Sequence, residues 1–550
     1  MSGSTAPGPE APPPPRKRPW MWIVIAIVVV VVLAGAGAYL VLFQPAPAKV
    51  PTVVTYATSS EMVTLDPSTE FSNSILILPN VYEGLTRFNP QTQSADPLLA
   101  TSWTKTPDGM NWTFTLRQGV TFHDGTPFNA TAVKFSVDRT IRMGGGAAFI
   151  WGAVDHIEIL GEYQVKFVLT YPAPIDWIAT SGYAAWIFSP RTPGWDTPGN
   201  DTVKDQEMAK WFEQGHESGT GPYMLDASQY STTRVVFERF DAYWGGWREG
   251  QFDKAVILRN ADPAQREASL KAGEVDITID VPVLDLPQLR NDTSVRVLTT
   301  PSYRAIYAFF NTGRRPTDDP LVRQALAYAI PYDDIVTAVV GGLGDQSRGI
   351  IPKGMWGHNE SLPQYEFNLT KAEDLLRQAG HPNPNFSLRF TYTLGDLFEQ
   401  KFGELWKEKL ATLGITMDVV GLPWEQQWTE AQGGPDTAQD IFVMYWWPSY
   451  VTPYDFLFNM FHSASYAYFN LGYYRNPTFD ATIDEAVSLE ATDRDMAFQM
   501  YSQAQMMLYN DLPGLGIVDL QNLYLLKADL RGFQDNAGYP LVVFFYQLSR

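Results

Sequence analysis

The sequence predicts a mixed α/β protein of several lobes, preceded by one apolar helix. Three observations carry that expectation. At 550 residues the chain exceeds what one hydrophobic core supports. From Thr52 onward strand-like and helix-like segments alternate without tandem repeat, which favours α/β lobes. And an uncharged apolar run from Trp20 to Phe43 makes about 36 Å of helix at ~1.5 Å per residue, enough to cross a hydrocarbon core of ~30 Å.

Taken in chain order, residues 1–15 are rich in Pro, Gly, Ser and Ala, a composition that cannot bury enough apolar surface to fold. Residues 1–19 are therefore expected as a cytoplasmic tail, with 20–43 as a transmembrane anchor. The basic triplet Arg16–Arg18 flanks only the N-terminal side, so that end stays inside and the binding part lies outside the cell. A cleaved signal peptide is the rival, since "AGAGA" (34–38) offers small residues to a peptidase; the length of the run favours an uncleaved anchor. Residues 44–52 read as a proline-rich linker. Seven Asn-x-Ser/Thr sequons follow, at Asn111, Asn129, Asn200, Asn291, Asn359, Asn368 and Asn385, compatible with a glycosylated surface.

Strands are expected at "VVTYA" (53–57), "WTFTLR" (112–117), "VKFVLT" (165–170), "RVVFERF" (234–240) and "ITMDVV" (415–420), each with alternating or β-branched apolar residues. Helices carry start and stop signals. Asn368 can cap a helix whose stripe is Ala372, Leu375, Leu376 and Ala379, closed by Gly380. Asp319 caps another, with Pro320 in its first turn and Leu321, Ala325, Leu326 and Ala329 inward. A third, "LFEQKFGELWKEKLATLG", hands over to "ITMDVV", and "REASLKAGEVDITI" (266–279) repeats that handover. Asn129 should cap a helix with Val133, Val137 and Phe135 inward, after a tight turn at Asp124-Gly125.

The chemistry an enzyme needs is missing. With no cysteine there is no disulfide, thiolate site or cysteine nucleophile. The six histidines show no i, i+4 pair for zinc. "GHESG" (215–219) has its serine out of register for a nucleophile elbow, and "GGLG" (341–344) lacks the Lys-Ser/Thr of a phosphate loop. No catalytic residue, cofactor or metal is expected, and a surface hydrolase stands as the rival from another class. The net charge of −20 disfavours nucleic acid.

Several long strings then occur in order: "LDPSTEFSNSILILPNVYEGLTRF", "WTFTLRQGVTFHDGTPFNATAVKFSVDR", "GTGPYMLDASQYSTTRVVFERFDAYWGG", "ASLKAGEVDITI", "DPLVRQALAYAI", "NLTKAEDLLRQAG" and "DIFVMYWWPSYVTPYDFL". From about Leu65 to Phe533 the chain resembles the family-5 extracellular solute-binding proteins of ABC importers, the dipeptide- and oligopeptide-binding group. The resemblance implies a type II periplasmic-binding-protein fold. Its lobe I would comprise 53–84, 221–300 and 520–550, an inserted subdomain 85–220, and lobe II 301–519. Its partners would be an ABC permease and ATPase subunits. Closure is favoured only when a solute bridges both lobes.

The resemblance also implies which residues meet the solute. An extended edge segment matches Glu70, Phe71, Ser72 and Asn73, and would hold peptide main chain as an added strand. The opposite strand carries Trp446, with Trp447, Ser449 and Tyr450 following. Trp424 matches a second pocket tryptophan. Ile279, beside Asp280, takes the place of a tyrosine. The departure is Ser449, where peptide binders carry an aspartate for the free α-amino group; a buried ammonium without a carboxylate gains little for its desolvation. Asp280 and Asp455 are the acids that could supply the charge from elsewhere. Seventeen tryptophans and a neutral Ser449 also suit an oligosaccharide, whose apolar ring faces stack on indoles. Adjacent strand residues face opposite ways, so one of Trp446 and Trp447, with Trp446 preferred, would face the solute. Nickel or haem finds no supporting cysteine or nearby histidine.

Overall fold

The computed structural model describes residues 1–3, 8, 19–42, 52–465 and 468–550. The chain divides into two units, Met1–Pro51 and Thr52–Arg550. In the first, Pro19–Leu42 form one α-helix. The expected anchor ends on Phe43, and the expected tail (1–19) and linker (44–52) fall largely outside the described residues. Over the described residues alone, no helix is long and apolar enough to cross a membrane.

The second unit is organised on a mixed sheet of eleven strands among the described residues. Its spatial order is Thr416–Leu422, Ser387–Thr393, Ile441–Trp446, Val295–Phe310, Gly514–Lys527, Ile277–Ile279, Val53–Thr58, Lys254–Arg259, Arg234–Arg239 and Tyr223–Leu225, with Gly344–Gln346 pairing beside Gly514–Lys527. Parallel pairs occur on both sides of the centre: Ser387–Thr393 with its two neighbours, and Val53–Thr58 with its two. Parallel strands need crossovers, and helices such as Leu397–Thr412 and Pro263–Ala272 supply them.

The two halves are joined through one antiparallel pair of long strands. Val295–Phe310 pairs with Gly514–Lys527 along nearly its whole length, but the register shifts between Pro301 and Ala305. Pro301 has no N–H for the ladder, so the pairing breaks there. Before the break the strand faces Gln521–Lys527; after it, Ala305–Phe310 also pairs with Ile441–Trp446. Two smaller sheets lie between residues 86 and 169: a hairpin, Thr86–Asn89 with Ser94–Pro97, and a four-stranded antiparallel sheet ordered Ala100–Lys105, Asn111–Leu116, Gln164–Leu169, Val154–Gly161.

The anticipated strands and helices coincide with these elements to within a residue or two. Asn129 accepts from the N–H groups of Thr131 and Ala132, and Val133 and Val137 are buried; Phe135 is half-buried, edge-on to Phe188 and Trp195. Asn368 accepts from Lys371 N and Asp319 from Leu321 N. Two stripe residues differ: Leu321 and Ala379 are only half-buried, while Val322 and Arg323 are buried instead. Arg323 is inside because its guanidinium binds the carbonyls of Thr317, Asp318 and Leu512. Of the sequon asparagines, Asn129, Asn200 and Asn368 are helix caps, a structural use that accounts for those triplets without a glycan. Asn129→Ala should lower the urea midpoint by an amount worth about 1 kcal/mol, leaving two amide donors of the Ala130–Met143 helix without their partner. A shift near zero would show that water replaces the cap.

Candidate functional site

The segment after Leu65 is built around an ion pair. Arg139, fully buried on the Ala130–Met143 helix, grips the Asp66 carboxylate with two bonds of 2.6 and 2.7 Å. This holds the start of the turn that carries Glu70. Glu70 folds back so that its Oε1 accepts from Ser72 N (2.7 Å), Ser72 Oγ (2.8 Å) and Ser74 N (3.0 Å). Residues Asn73–Leu76 continue as a 3₁₀ turn. The expectation of an extended edge at Glu70–Asn73 is therefore corrected: the carboxylate takes the amide donors an edge strand would present. Glu70 Oε2 is buried and has no hydrogen-bond partner. Burial pushes the Glu70 carboxyl up to about 7.

Opposite this turn, the strand Ile441–Trp446 ends with Trp446 paired to Ala305. Trp446 is 7% exposed and meets the Phe469 ring edge-on at 5.2 Å. The chain then leaves the sheet. Trp447 donates its indole N–H to the Tyr183 hydroxyl (2.9 Å), which donates to the Ser72 carbonyl (3.0 Å). Ser449 is buried; its carbonyl accepts from Ser181 Oγ (2.7 Å) and Gly182 N (3.3 Å). One loop, Ser181–Tyr183, thus bonds to both segments. Tyr450 is buried beside it.

Thr452 caps the helix Pro453–Phe461, and Asp455 in its first turn reaches back to accept from Ser449 N (3.1 Å). Its other oxygen accepts from Asn459 (3.2 Å). Asp455 is 1% exposed, and burial pushes its carboxyl up to about 7. Ser449 Oγ and Trp446 Nε1 face this carboxylate and favour its charge, yet neither makes a hydrogen bond of ordinary geometry. Burial raises the Tyr183 hydroxyl, and the charges of Glu70 and Asp455 raise it further.

Aromatic rings pack around the two segments. Phe71 packs edge-on against Tyr183 (5.0 Å), Phe469 (5.6 Å) and Phe149 (6.1 Å). Phe469 continues to Trp428 (5.7 Å), and Trp428 to Trp424 (5.3 Å). Trp424 opens the helix Trp424–Gln432 and is 41% exposed. Ile279 and Asp280 turn elsewhere. Ile279 is buried in its strand, paired with Tyr524. Asp280 sits at a positive φ of 48°, its carbonyl accepting from Arg266 and its carboxylate 3.9 Å from Arg304.

The structure therefore gathers Glu70, Phe71, Ser72, Trp446, Trp447 and Ser449 around Tyr183 and Phe469. Sequence reasoning missed Tyr183, Ser181 and Phe469, because Tyr183 and Trp447 are 264 residues apart and no local pattern links them. Among the described residues no group of three His, Cys, Asp or Glu is arranged to hold a metal ion.

Comparison with known proteins gives this geometry its context. Residues 94–468 match the model of the bacterial extracellular solute-binding proteins, family 5 middle region. The probable D,D-dipeptide-binding periplasmic protein DdpA of Escherichia coli K12 is 26% identical over 505 residues, covering 90% of this chain and 94% of that protein. Heme-binding protein A of Haemophilus influenzae is 27% identical over 502 residues, covering 85% and 86%. Among solved structures, the dipeptide-binding protein of Pseudoalteromonas sp. SM9913 in complex with Met-Leu superimposes with a TM-score of 0.79 at 24% identity, over 90% of this chain and all of that one. The mixed α/β fold is that of the periplasmic binding proteins, the matched region spans well over half the sequence, and the chain belongs to family 5 of the bacterial extracellular solute-binding proteins, the substrate-binding receptors of ABC importers.

Proposed function

We propose that this receptor captures peptides or peptide-like small solutes between the Glu70–Asn73 turn and the Trp446–Tyr450 segment, and delivers them to a permease. The observation that carries this is that buried polar atoms without an ordinary hydrogen-bond partner stand on both segments tied to the Ser181–Tyr183 loop: Glu70 Oε2 on one, and Trp446 Nε1 and Ser449 Oγ, facing the Asp455 carboxylate, on the other. A buried polar group without a partner costs about 1–3 kcal/mol, and a solute with matching donors and acceptors recovers that cost. An amide backbone offers both. Lobe I (53–84, 221–300, 520–550) and lobe II (301–519) close about Pro301–Arg304, where the long-strand register breaks. The inserted subdomain (85–220) contributes the Ser181–Tyr183 loop. No bond is made or broken in this role; the chain binds, and the ATPase of the importer does the work.

The helix Pro19–Leu42, with Trp20–Val32 all exposed, serves as a single-pass anchor with the N-terminus cytoplasmic and the receptor outside. An oligosaccharide is the second reading, favoured by Trp424, whose exposed ring beside Trp428 offers a stacking face. Thermal unfolding of the full chain in mild detergent against dipeptide, tripeptide and oligosaccharide panels separates the two. A peptide present at a hundred times its Kd should stabilise by about 2.7 kcal/mol. Stabilisation by sugars and by no peptide overturns the peptide reading. Cleavage of any panel member overturns the purely binding role.

A further inference from the structure

Two carboxylates at this site lack a counter-cation. Glu70 and Asp455 are each 1% exposed, and neither takes part in an ion pair among the described residues. Every donor to them is neutral: Ser72 and Ser74 for Glu70, Ser449 and Asn459 for Asp455. The charged groups nearby are already engaged. Asp66, the acid acting on Glu70, is held by Arg139. Glu490, which acts on the Tyr450 hydroxyl as Asp455 does, accepts from the hydroxyls of Thr452 and Tyr501, and Arg494 stacks on the Trp177 and Trp356 rings at 4.3 and 4.1 Å. Among the described residues, no cation forms an ion pair with either carboxylate.

The two acids stand at opposite ends of one hydrogen-bonded path. Glu70 binds Ser72, whose carbonyl accepts from Tyr183; the same loop, through Ser181 and Gly182, binds the Ser449 carbonyl, and Ser449 N binds Asp455. Both charges act on the Tyr183 hydroxyl. Each end also carries an unused polar atom: Glu70 Oε2 at one, Ser449 Oγ and Trp446 Nε1 at the other. Glu70 Oε2 can only accept while the acid is ionised, so it asks for a donor. Trp446 Nε1 can only donate, and it faces the Asp455 carboxylate, so that acid too stands among neutral donors alone. The rings of Phe71, Phe469 and Trp446 pack edge-on against one another beside these groups, and an apolar surrounding strengthens a charge pair formed there.

From this arrangement we infer that the preferred solute is a short peptide or peptide-like molecule with two cationic groups, one bound by Glu70 and the other by Asp455. The inference rests on the peptide-receptor reading and sharpens it. A single α-amine satisfies one acid and leaves the other buried without a partner. A second ammonium or guanidinium satisfies both, while Ser449 supplies a hydroxyl without competing charge.

Titration calorimetry of the full chain with three probes tests it: lysyl-alanine, norleucyl-alanine, and N-acetyl-lysyl-alanine. Lysyl-alanine has two cations, and each of the others has one at nearly the same length. Lysyl-alanine should bind about 10- to 100-fold more tightly than either, the range of one charge-assisted hydrogen bond. Glu70→Gln and Asp455→Asn should each remove most of that preference. Equal affinity of the three probes overturns the two-cation inference and leaves the peptide receptor standing. Absence of binding by all three, with sugars binding instead, overturns the reading beneath it. The wild-type comparison stands alone, so a variant that fails to fold does not rescue the idea.

Discussion

Arg139→Met should cost on the order of 3–5 kcal/mol, the largest loss expected from any single substitution in the receptor. Arg139 has no exposed surface, and its guanidinium joins two elements: the Asp66 carboxylate at 2.6 and 2.7 Å, and Asp205 through its carbonyl at 3.2 Å and its carboxylate at 3.5 Å. Methionine keeps the apolar packing against Phe188 and Phe212 but leaves Asp66 buried without its cation. An isolated carboxylate in such surroundings either keeps an uncompensated charge or takes up a proton. Against a typical domain stability of about 5–15 kcal/mol, that loss is severe. Urea unfolding at neutral pH is the measurement. Acidification should recover part of the loss, because protonating Asp66 removes the stranded charge. A variant with an unchanged midpoint would show that Arg139 and Asp66 contribute no more than an exposed pair. The function should suffer as well: Asp66 accepts the Glu70 amide at 2.9 Å, so freeing Asp66 loosens the turn that presents Glu70.

Arg139 also shows which parts of this molecule can be read from its sequence. The helix it belongs to is legible end to end. Asn129 announces its start and the stripe of Val133 and Val137 its inner face, because capping and periodicity are written in neighbouring residues. That Arg139 lies on the buried face is not legible, since its partners Asp66 and Asp205 are brought in by tertiary structure. The site divides the same way. Trp446 stands at a strand end, as the family resemblance implies. Tyr183 cannot be linked to Trp447 across 264 residues by any local signal.

Two readings of the site change for stated physical reasons. The Glu70–Asn73 segment joins no sheet, because a side-chain acid competes for the amides that a sheet edge would offer. Ser449 marks a missing charge in sequence but not in space. The first turn of the helix capped by Thr452 swings Asp455 back onto the Ser449 amide, so a carboxylate stands beside the hydroxyl. Sequence gaps of six residues are invisible to a position-by-position match, yet a helix start closes them.

That buried acid has a consequence for stability that can be measured without any solute. Glu70, Asp455 and Glu490 are each raised to about 7, from 4.5, 3.8 and 4.5 respectively, with burial the leading cause. Glu83, Asp176 and Asp519 are raised in the same direction and for the same reason. An acid whose pKa is higher folded than unfolded holds its proton more tightly in the native state. Native protein then binds more protons than the unfolded chain between pH ~4 and ~7, and stability falls as pH rises through that window. Raising one carboxyl from about 4 to about 7 corresponds to on the order of 4 kcal/mol, so the three acids together outweigh most single substitutions. The free receptor should therefore have its highest urea midpoint near pH 5 and a clearly lower one at pH 8. Asp455→Asn and Glu70→Gln should each flatten that slope, because an amide has no proton to lose. A midpoint that climbs from pH 5 to pH 8 would mean that the carboxylates are solvated or paired. A cationic solute should flatten the slope in the wild type too, because it supplies at neutral pH the positive charge that the protein withholds from these acids. The instability of the empty site and its preference for a cation are then one electrostatic fact, measured once without solute and once with it.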